Sequence, residues 1–195
     1  VGEDGLPVST GLDHVKELGI THIQLEPFYD YASTEETEVK RYEHELNYNW
    51  GYDPYNYNCL EGGYSTDPFN GFTRIYEFKE MMKSFYDYDI GVIMDVVYNH
   101  TAKGPDSWFN LIVPGYYYRL LPDGAFYNDS GCGNTVATER PMVRKYIVES
   151  LKFWASEYKI SGFRFDLMGL MDTTTLSVAY KKKKKIYDDI IMYGE

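Results

Sequence analysis

The feature that most constrains the fold is a nearly uninterrupted apolar run, Gly91–Tyr98, with one aspartate, Asp95, inside it. Continuous runs of this kind are typical of parallel strands that are covered on both faces. A buried carboxylate is costly unless it is paired, so Asp95 needs a cation from a neighbouring element. Asn99 and His100 follow the run directly, where a loop is predicted to begin.

A second short segment, Gly162–Asp166, contains such a cation. Side chains at i and i+2 of a strand share a face, so Arg164 and Asp166 point one way and the two intervening phenylalanines point the other. A strand with an apolar back and a charged front is either a structural ion pair or the wall of an active site. If the two strands are neighbours, Arg164 is the natural partner of Asp95.

The last six residues, Ile190–Glu195, have the pattern of another buried strand that ends in a carboxylate. The spacing between Asp166 and Glu195 is that of one strand–helix–strand unit, roughly 30 residues. Neighbouring parallel strands lie about 4.8 Å apart, so carboxylates at their corresponding ends would be about 5 Å apart. A retaining glycosidase needs about this separation between its nucleophile and its acid/base.

Hydrophobic periodicity predicts helices and strands that alternate along the whole chain. The helices are expected at 10–19, 71–86, from Pro141 onwards and at 172–187, and the strands at 21–25, 91–98, 162–167 and 190–195. Such alternation predicts an α/β fold with a parallel sheet, and on the pattern alone a doubly wound open sheet competes with a barrel. Two long segments, about 30–65 and 101–140, are predicted to be loops, and loops of this length are usually functional.

Three segments carry a resemblance to a known family. DVVYNH (95–100), GFRFD (162–166) and YGE (193–195) resemble, in that order, the first three signature regions of the α-amylase superfamily of glycoside hydrolases. YNWGYDP (48–54) is similar to a signature of the type I pullulanases within that superfamily, as are THIQLEPFYDYAS (21–33) and SGCGNTVATERPM (130–142).

The resemblance covers nearly the whole chain and implies a (β/α)8 TIM barrel. A complete barrel has eight strands and typically ~250 residues, whereas 195 residues with four predicted strands correspond to about half. Residues 1–195 would therefore be a partial catalytic domain that contains the family's strands 2 to 5, with the loops 30–65 and 101–140 on the active-site face. The superfamily's fourth signature, which supplies a second aspartate, would follow residue 195. Glu26 replaces an apolar residue of the family, a minor departure.

The resemblance also implies a role for each candidate residue. Asp166 would be the catalytic nucleophile, and Glu195 the acid/base, kept protonated by burial and by the charge of Asp166. Arg164 would orient Asp166 in the substrate site, His100 would donate a hydrogen bond to a sugar hydroxyl, and Tyr52 would stack on the sugar. Structural support would come from Asp95, Asn99, Trp50 and Asp53. Asn134 is a further candidate for the wall of the groove.

Composition limits the partners. A net charge of −11 argues against nucleic acid or an anionic membrane as the main partner and is compatible with a neutral polymer. No apolar run is long enough to span a bilayer. Cys59 and Cys132 are too few for a disulfide framework, although one bridge remains open. The lysine run Lys181–Lys185 is interpreted as a solvated helix face. The sequence does not identify a cellular compartment.

The predicted function is retaining hydrolysis of α-1,6 branch linkages in an α-glucan such as pullulan, starch or glycogen. The resemblance implies no organic cofactor and leaves open a calcium ion near Asn99. Alternatives are an isoamylase, a glycogen-debranching enzyme, an α-1,4-acting amylase, or a non-catalytic glucan-binding homologue. Half a barrel has two open sheet edges and one uncovered face, expected to be apolar, so the isolated chain is expected to be inactive and prone to aggregate.

Overall fold

The computed structural model describes residues 7–36, 49–183 and 189–195. Its strands are β1 His22–Leu25, β2 Tyr29–Tyr31, β3 Pro54–Leu60, β4 Gly91–Val96, β5 Gly162–Phe165 and β6 Ile191–Gly194. Its helices are α1 Gly11–Glu17, α2 Gly71–Tyr86, α3 Trp108–Ile112, α4 Pro141–Glu157 and α5 Thr173–Lys183. Short 3-10 turns cover Gly62–Tyr64 and Met168–Leu170.

Four strands form one parallel sheet in the order β1-β4-β5-β6. The order follows the chain without the reversal that marks the switch point of a doubly wound sheet. Each strand is followed by a helix before the next strand of the sheet, as in consecutive units of a (β/α)8 barrel. The predicted four-stranded partial barrel is confirmed, and the open-sheet alternative is not supported.

The two predicted loops contain more structure than expected. Within 30–65, β2 and β3 pair as a separate antiparallel sheet, so the prediction of one continuous loop there is wrong. Within 101–140 lie the short helix α3 and two isolated bridges, Tyr118–Val136 and Leu120–Phe126. The polar and aromatic composition of both segments does not predict these elements. They are stabilised by long-range contacts, which leave no local hydrophobic periodicity in the sequence.

The core lies between the outer face of the sheet and helix α4. The predicted apolar stripe of α4 is buried throughout, namely Val143, Ile147, Leu151 and Trp154. Pro141 occupies the first turn of α4, as predicted. Trp154 is fully buried, and its indole N–H donates to the carbonyl of Tyr57 at 3.0 Å. Helix α4 is thereby joined to β3 as well as to the parallel sheet.

The face of the parallel sheet that points away from α4 is open, and it is polar near the carboxyl ends of the strands. Gln24 of β1, Asp95 of β4, Arg164 of β5 and Tyr193 of β6 occupy it, and register pairs Asp95 with Arg164 and Arg164 with Tyr193. Gln24 and Tyr193 are exposed. The expectation that the uncovered face would be apolar is therefore wrong at this end of the sheet, since the strands carry their polar side chains there.

Glu61 fastens the end of β3 to β2. Its carboxylate is 2% exposed and accepts hydrogen bonds from the backbone N–H groups of Tyr31, at 3.2 Å, and Gly63, at 2.7 Å. The carboxylate oxygens of Asp30, Glu36 and Glu61 lie within 4.8 Å of one another. Burial, and then Glu36 and Asp30, outweigh the two N–H donors and raise the pKa of Glu61 to about 8.

Replacing Trp154 by alanine should destabilise the fold by about 3–5 kcal/mol, because a fully buried ring and its hydrogen bond are lost together. Urea unfolding followed by circular dichroism measures the change. Phe72→Ala on α2 is the matched control, since Phe72 is 83% exposed, and it should change the unfolding free energy by less than about 0.5 kcal/mol. Equal effects of the two changes would contradict the packing described above.

The pH dependence of stability should reveal Glu61. Its pKa is raised from 4.5 to about 8 in the folded state, so the folded protein holds the proton more tightly than the unfolded chain. The unfolding free energy should therefore fall as pH rises from about 4.5 to about 8, and Glu61→Gln should remove this part of the fall. Urea titrations over this range test it, with Glu80→Gln, at an exposed site on α2, as control. Parallel pH curves for wild type and Glu61→Gln would refute the assignment.

Candidate active site

Charged side chains converge where the parallel strands end. Asp95 lies in β4, Arg164 in β5, and Asp166 and Glu195 directly follow β5 and β6. The backbone N–H of Asp166 donates to Val96 O at 3.0 Å, and that of Glu195 donates to Phe165 O at 3.1 Å. Asp166 and Glu195 thus occupy corresponding positions at the ends of neighbouring strands, as predicted.

Arg164 is the centre of the cluster. One terminal nitrogen, Nη1, lies 2.9 Å from each carboxylate oxygen of Asp95 and 3.3 Å from Oδ1 of Asp166. The other, Nη2, lies 2.5 Å from Oε2 of Glu195. Burial opposes the charge of Arg164, but Asp95 outweighs it, so the pKa of Arg164 is raised. The ion pair predicted between Arg164 and Asp95 is present, and two further carboxylates share its cation.

Asp95 is fully buried and serves as the anchor of Arg164. Its Oδ2 also accepts hydrogen bonds from the Tyr52 hydroxyl at 2.8 Å and from Gln24 Nε2 at 3.3 Å. Burial raises the pKa of Asp95, while Arg164 and Tyr52 act in the opposite direction. All of its contacts are internal, which suits the structural role expected of it.

Asp166 is held from two sides. Arg164 contacts Oδ1, and the amide of Asn99 donates to Oδ2 and to the backbone carbonyl of Asp166, both at 2.9 Å. The next residue, Leu167, has the left-handed conformation with φ 44°. This backbone is rare for a branched residue and is often found at functional sites. The chain turns sharply there, immediately after the carboxylate.

His100 does not face an open space. It is 2% exposed, Nε2 donates to the carbonyl of Tyr52 at 2.8 Å, and Nδ1 lies 2.6 Å from Oδ1 of Asn99. Burial lowers the pKa of His100. A direct hydrogen bond to a sugar, as predicted, would require the bond to Tyr52 to be shared or broken. In this structure Nε2 of His100 instead holds the backbone carbonyl of Tyr52.

The YNWGYDP segment forms one side of an open groove. Trp50 is 60% exposed, and the half-buried ring of Tyr52 lies 6.0 Å from the guanidinium of Arg164. Asp53 Oδ2 accepts the backbone N–H of Ser33 at 2.8 Å, which fits its predicted part in shaping the loop. A space of about 460 Å³ is lined by Ser33, Asn49, Trp50, Tyr52 and Asp53. Tyr48 lies outside the described residues.

Glu195 differs from its expected environment. Its side chain is 59% exposed and paired with Arg164, whereas the acid/base role was expected to place it in a buried site. Asp166 and Glu195 are therefore brought to one guanidinium, but in very different solvent environments.

Several residues play parts that the sequence did not reveal. The hydroxyl of Tyr193 donates a hydrogen bond to Gln24 Oε1, and Gln24 Nε2 donates one to Asp95. Both occupy the strand face of Arg164, so the alternation of side chains could have identified them. Asn134 is 1% exposed and bonds Thr101, so its predicted place on the groove wall is wrong.

Other predictions concern thiols, metals and charge. Cys59 and Cys132 are both free, so no bridge joins them. Both polar side-chain atoms of Asn99 are already engaged within the chain. Among the described residues, the carboxylates of Asp30, Glu36 and Glu61 lie close enough to share a metal ion, but Glu36 is paired with Arg74 at 2.8 Å and Glu61 accepts two backbone N–H groups. Lys181 and Lys182 are exposed, as expected, whereas Lys184 and Lys185 lie outside the described residues. Over the described ranges, no helix has the length and apolar character needed to cross a membrane.

Comparison with known proteins agrees with the motifs. The family model "Alpha amylase, catalytic domain" matches residues 5–113. A pullulanase of Bacillus subtilis (strain 168) is 40% identical over 188 residues, which cover 96% of this chain and 25% of that protein. The chloroplastic isoamylase SU1 of Zea mays is 41% identical over 166 residues, covering 82% of this chain and 20% of that protein.

Solved structures agree with the fold. The pullulanase of Paenibacillus barengoltzii, crystallised with maltohexaose and α-cyclodextrin, superposes with a TM-score of 0.91 at 47% identity, over 100% of this chain and 29% of that one. The chain thus spans between a fifth and a third of the length of these relatives. The family match, the barrel strands and the clustered signature residues agree, and the chain belongs to the α-amylase catalytic-domain family.

Proposed function

We propose that the protein containing this chain hydrolyses α-1,6 branch linkages in α-glucans with retention of configuration. Asp166 is the nucleophile and Glu195 the acid/base. The observation that carries the proposal is the shared guanidinium of Arg164, which contacts both carboxylates at the ends of neighbouring parallel strands. The same end of a parallel barrel is where this architecture places its chemistry.

The reaction proceeds in two displacements. In the first, a carboxylate oxygen of Asp166 attacks the anomeric carbon, the glycosidic C–O bond breaks, and Glu195 gives its proton to the leaving oxygen. In the second, the Glu195 carboxylate takes a proton from water, and the resulting hydroxide displaces Asp166 from the sugar. Every proton transfer in this scheme uses Glu195 and every covalent step uses Asp166. The scheme needs no organic cofactor.

The surroundings of Asp166 support the nucleophilic role. The guanidinium of Arg164 and the amide of Asn99 both contact the carboxylate and fix its orientation. A nucleophile held at a defined angle avoids part of the entropic cost of reaching the transition state. Asp95 in turn holds Arg164, and the hydroxyl of Tyr52 donates a hydrogen bond to Asp95.

Glu195 has a different task in each half of the cycle. Glu195 acts as an acid in the first displacement and as a base in the second, so the same carboxyl changes its protonation state once in each half of the cycle.

The relatives support the choice of linkage. They include proteins named pullulanase and isoamylase at similar identity, so the α-1,6 linkage is the proposal that fits both, with an α-1,4-acting amylase as the alternative. Pullulan distinguishes these activities, because cleavage of its α-1,6 bonds releases maltotriose and cleavage of its α-1,4 bonds releases products that keep an α-1,6 bond. The proposed partner is an uncharged α-glucan, which an acidic protein can bind without electrostatic penalty.

Asp166→Asn in the natural polypeptide should lower kcat on pullulan by about a thousandfold or more, because an amide cannot form the glycosyl ester. Reducing-end release and chromatography of the products measure the rate and the linkage cleaved. Asp106→Asn, at an exposed loop position, is the matched control and should keep full activity. Survival of hydrolysis in the Asp166→Asn variant would rule out this mechanism. It would also rule out the non-catalytic alternative, because the protein would still be an enzyme.

The 195-residue chain expressed by itself should release no maltotriose from pullulan. In the described structure β1 and β6 are edge strands with unpaired backbone groups, and Glu195 lacks the cover that an acid needs. Light scattering should also show association of the isolated chain. Turnover that disappears when Asp166→Asn is introduced into the same 195 residues would show that this segment is sufficient for catalysis.

A further inference from the structure

A second recess lies beside the proposed catalytic groove. It has a volume of about 150 Å³ and is lined mainly by Pro54, Tyr55, Lys103, Trp108, Phe109 and Tyr146; we call it the aromatic pocket. Pro54 follows Asp53 of the groove, and its carbonyl accepts the N–H of Ala102 at 2.9 Å, two residues after His100. The segments that form one edge of the groove thus continue into the aromatic pocket.

One ring of the pocket, that of Trp108, is exposed, and the ring of Tyr55 beside it is half-buried. Trp108 is 52% exposed, and its ring centroid lies 5.9 Å from that of Tyr55, at an interplanar angle of 47°. The two rings are tilted and not stacked face to face. Beneath them, the ring of Phe109 packs against Tyr146 and Tyr57 at centroid distances of 5.0 and 6.1 Å, so the floor of the pocket is rigid.

Polar groups edge the rings. The ammonium of Lys103 lies 5.1 Å from the centroid of Tyr55 and carries three hydrogen-bond donors. Indole and phenol groups add a donor each, next to their apolar faces. Apolar faces bordered by donors complement a pyranose ring, which is apolar on its C–H faces and carries hydroxyl groups around its edge.

We propose that the aromatic pocket is a non-catalytic binding site for one or two glucose units of an α-glucan chain. The proposal rests on the proposed function, since it supposes that the protein acts on this polymer. Its role is to hold the polymer near the groove and so to raise the effective concentration of linkages there.

The size of the pocket favours this occupant over a protein. A stable protein interface buries about 800 Å² on each partner, whereas sites that enclose drug-sized ligands have ~300–1,000 Å³. A recess of about 150 Å³ fits local contact with one or two rings of a longer chain. The high negative charge of the chain disfavours anionic ligands, while an uncharged polymer meets no such penalty.

The test separates polymer binding from chemistry. Binding is measured by native electrophoresis of the natural polypeptide in gels containing amylose or pullulan, with Asp166→Asn in every sample so that the gel is not digested. Hydrolysis is measured without that change, on a short branched maltooligosaccharide. Trp108→Ala is compared with Phe72→Ala, which removes a ring that is 83% exposed on α2, outside the pocket.

Trp108→Ala should weaken retardation by the polymer about fivefold, the loss expected when one stacking contact is removed. It should leave hydrolysis of the short substrate within about twofold of wild type, and Phe72→Ala should change neither. Unchanged retardation of Trp108→Ala would overturn the proposal. A parallel loss of hydrolysis on the short substrate would also overturn it, since the pocket would then be part of the catalytic groove.

A melting temperature lowered by Trp108→Ala, with polymer binding intact, would identify Trp108 as a packing residue and would equally overturn the proposal. Failure of the unmodified natural polypeptide to hydrolyse any α-glucan would refute the proposed function. In that event the gel comparison would still decide whether the aromatic pocket binds a glucan.

Discussion

The site depends on one guanidinium that is shared by three carboxylates. Arg164 contacts Asp95, Asp166 and Glu195, although its side chain is only 14% exposed. One positive charge among three negative ones leaves an excess of negative charge that would be unfavourable without further donors. Tyr52, Gln24 and Asn99 supply them. Buried ion pairs contribute little net stability, because desolvation offsets their attraction. The cluster is better explained by the geometry that it imposes on Asp166 than by stability.

The alternation of β5 links this cluster to the core. Phe163 and Phe165 are at most 1% exposed and pack into the outer core, which fixes the strand without help from the charged face. Arg164, between them, must then point to the inner side. Apolar burial thus determines where the guanidinium lies, and hydrogen bonds determine only how it is turned. This separation lets a charged site stand on a rigid strand.

The sequence predicted those elements in which the hydrophobic periodicity of the residues agrees with their burial in the fold. The strands around Asp95 and Arg164 and their ion pair followed from the cost of an unpaired charge in an apolar run. The pairing of β2 with β3 did not, because it depends on distant contacts such as those of Glu61 with Tyr31 and of Trp154 with Tyr57. Likewise, a motif could indicate that His100 and Glu195 matter, but their burial and partners are set by tertiary packing.

The loop that carries Tyr52 is fixed to the strands by a closed circuit of contacts. The circuit begins at the hydroxyl of Tyr52, runs through side chains and returns to the backbone carbonyl of Tyr52. Its members, in order, are Tyr52, Asp95, Arg164, Asp166, Asn99 and His100. The carbonyl of Tyr52 needs a donor, which His100 supplies. The carboxylate and the backbone carbonyl of Asp166 also need donors, which the amide of Asn99 supplies. Both bridging side chains therefore have a defined orientation. A loop is normally the mobile part of an active site. Here one loop residue is held through both its hydroxyl and its backbone, so the ring beside the candidate nucleophile is positioned by the same network that orients the carboxylate.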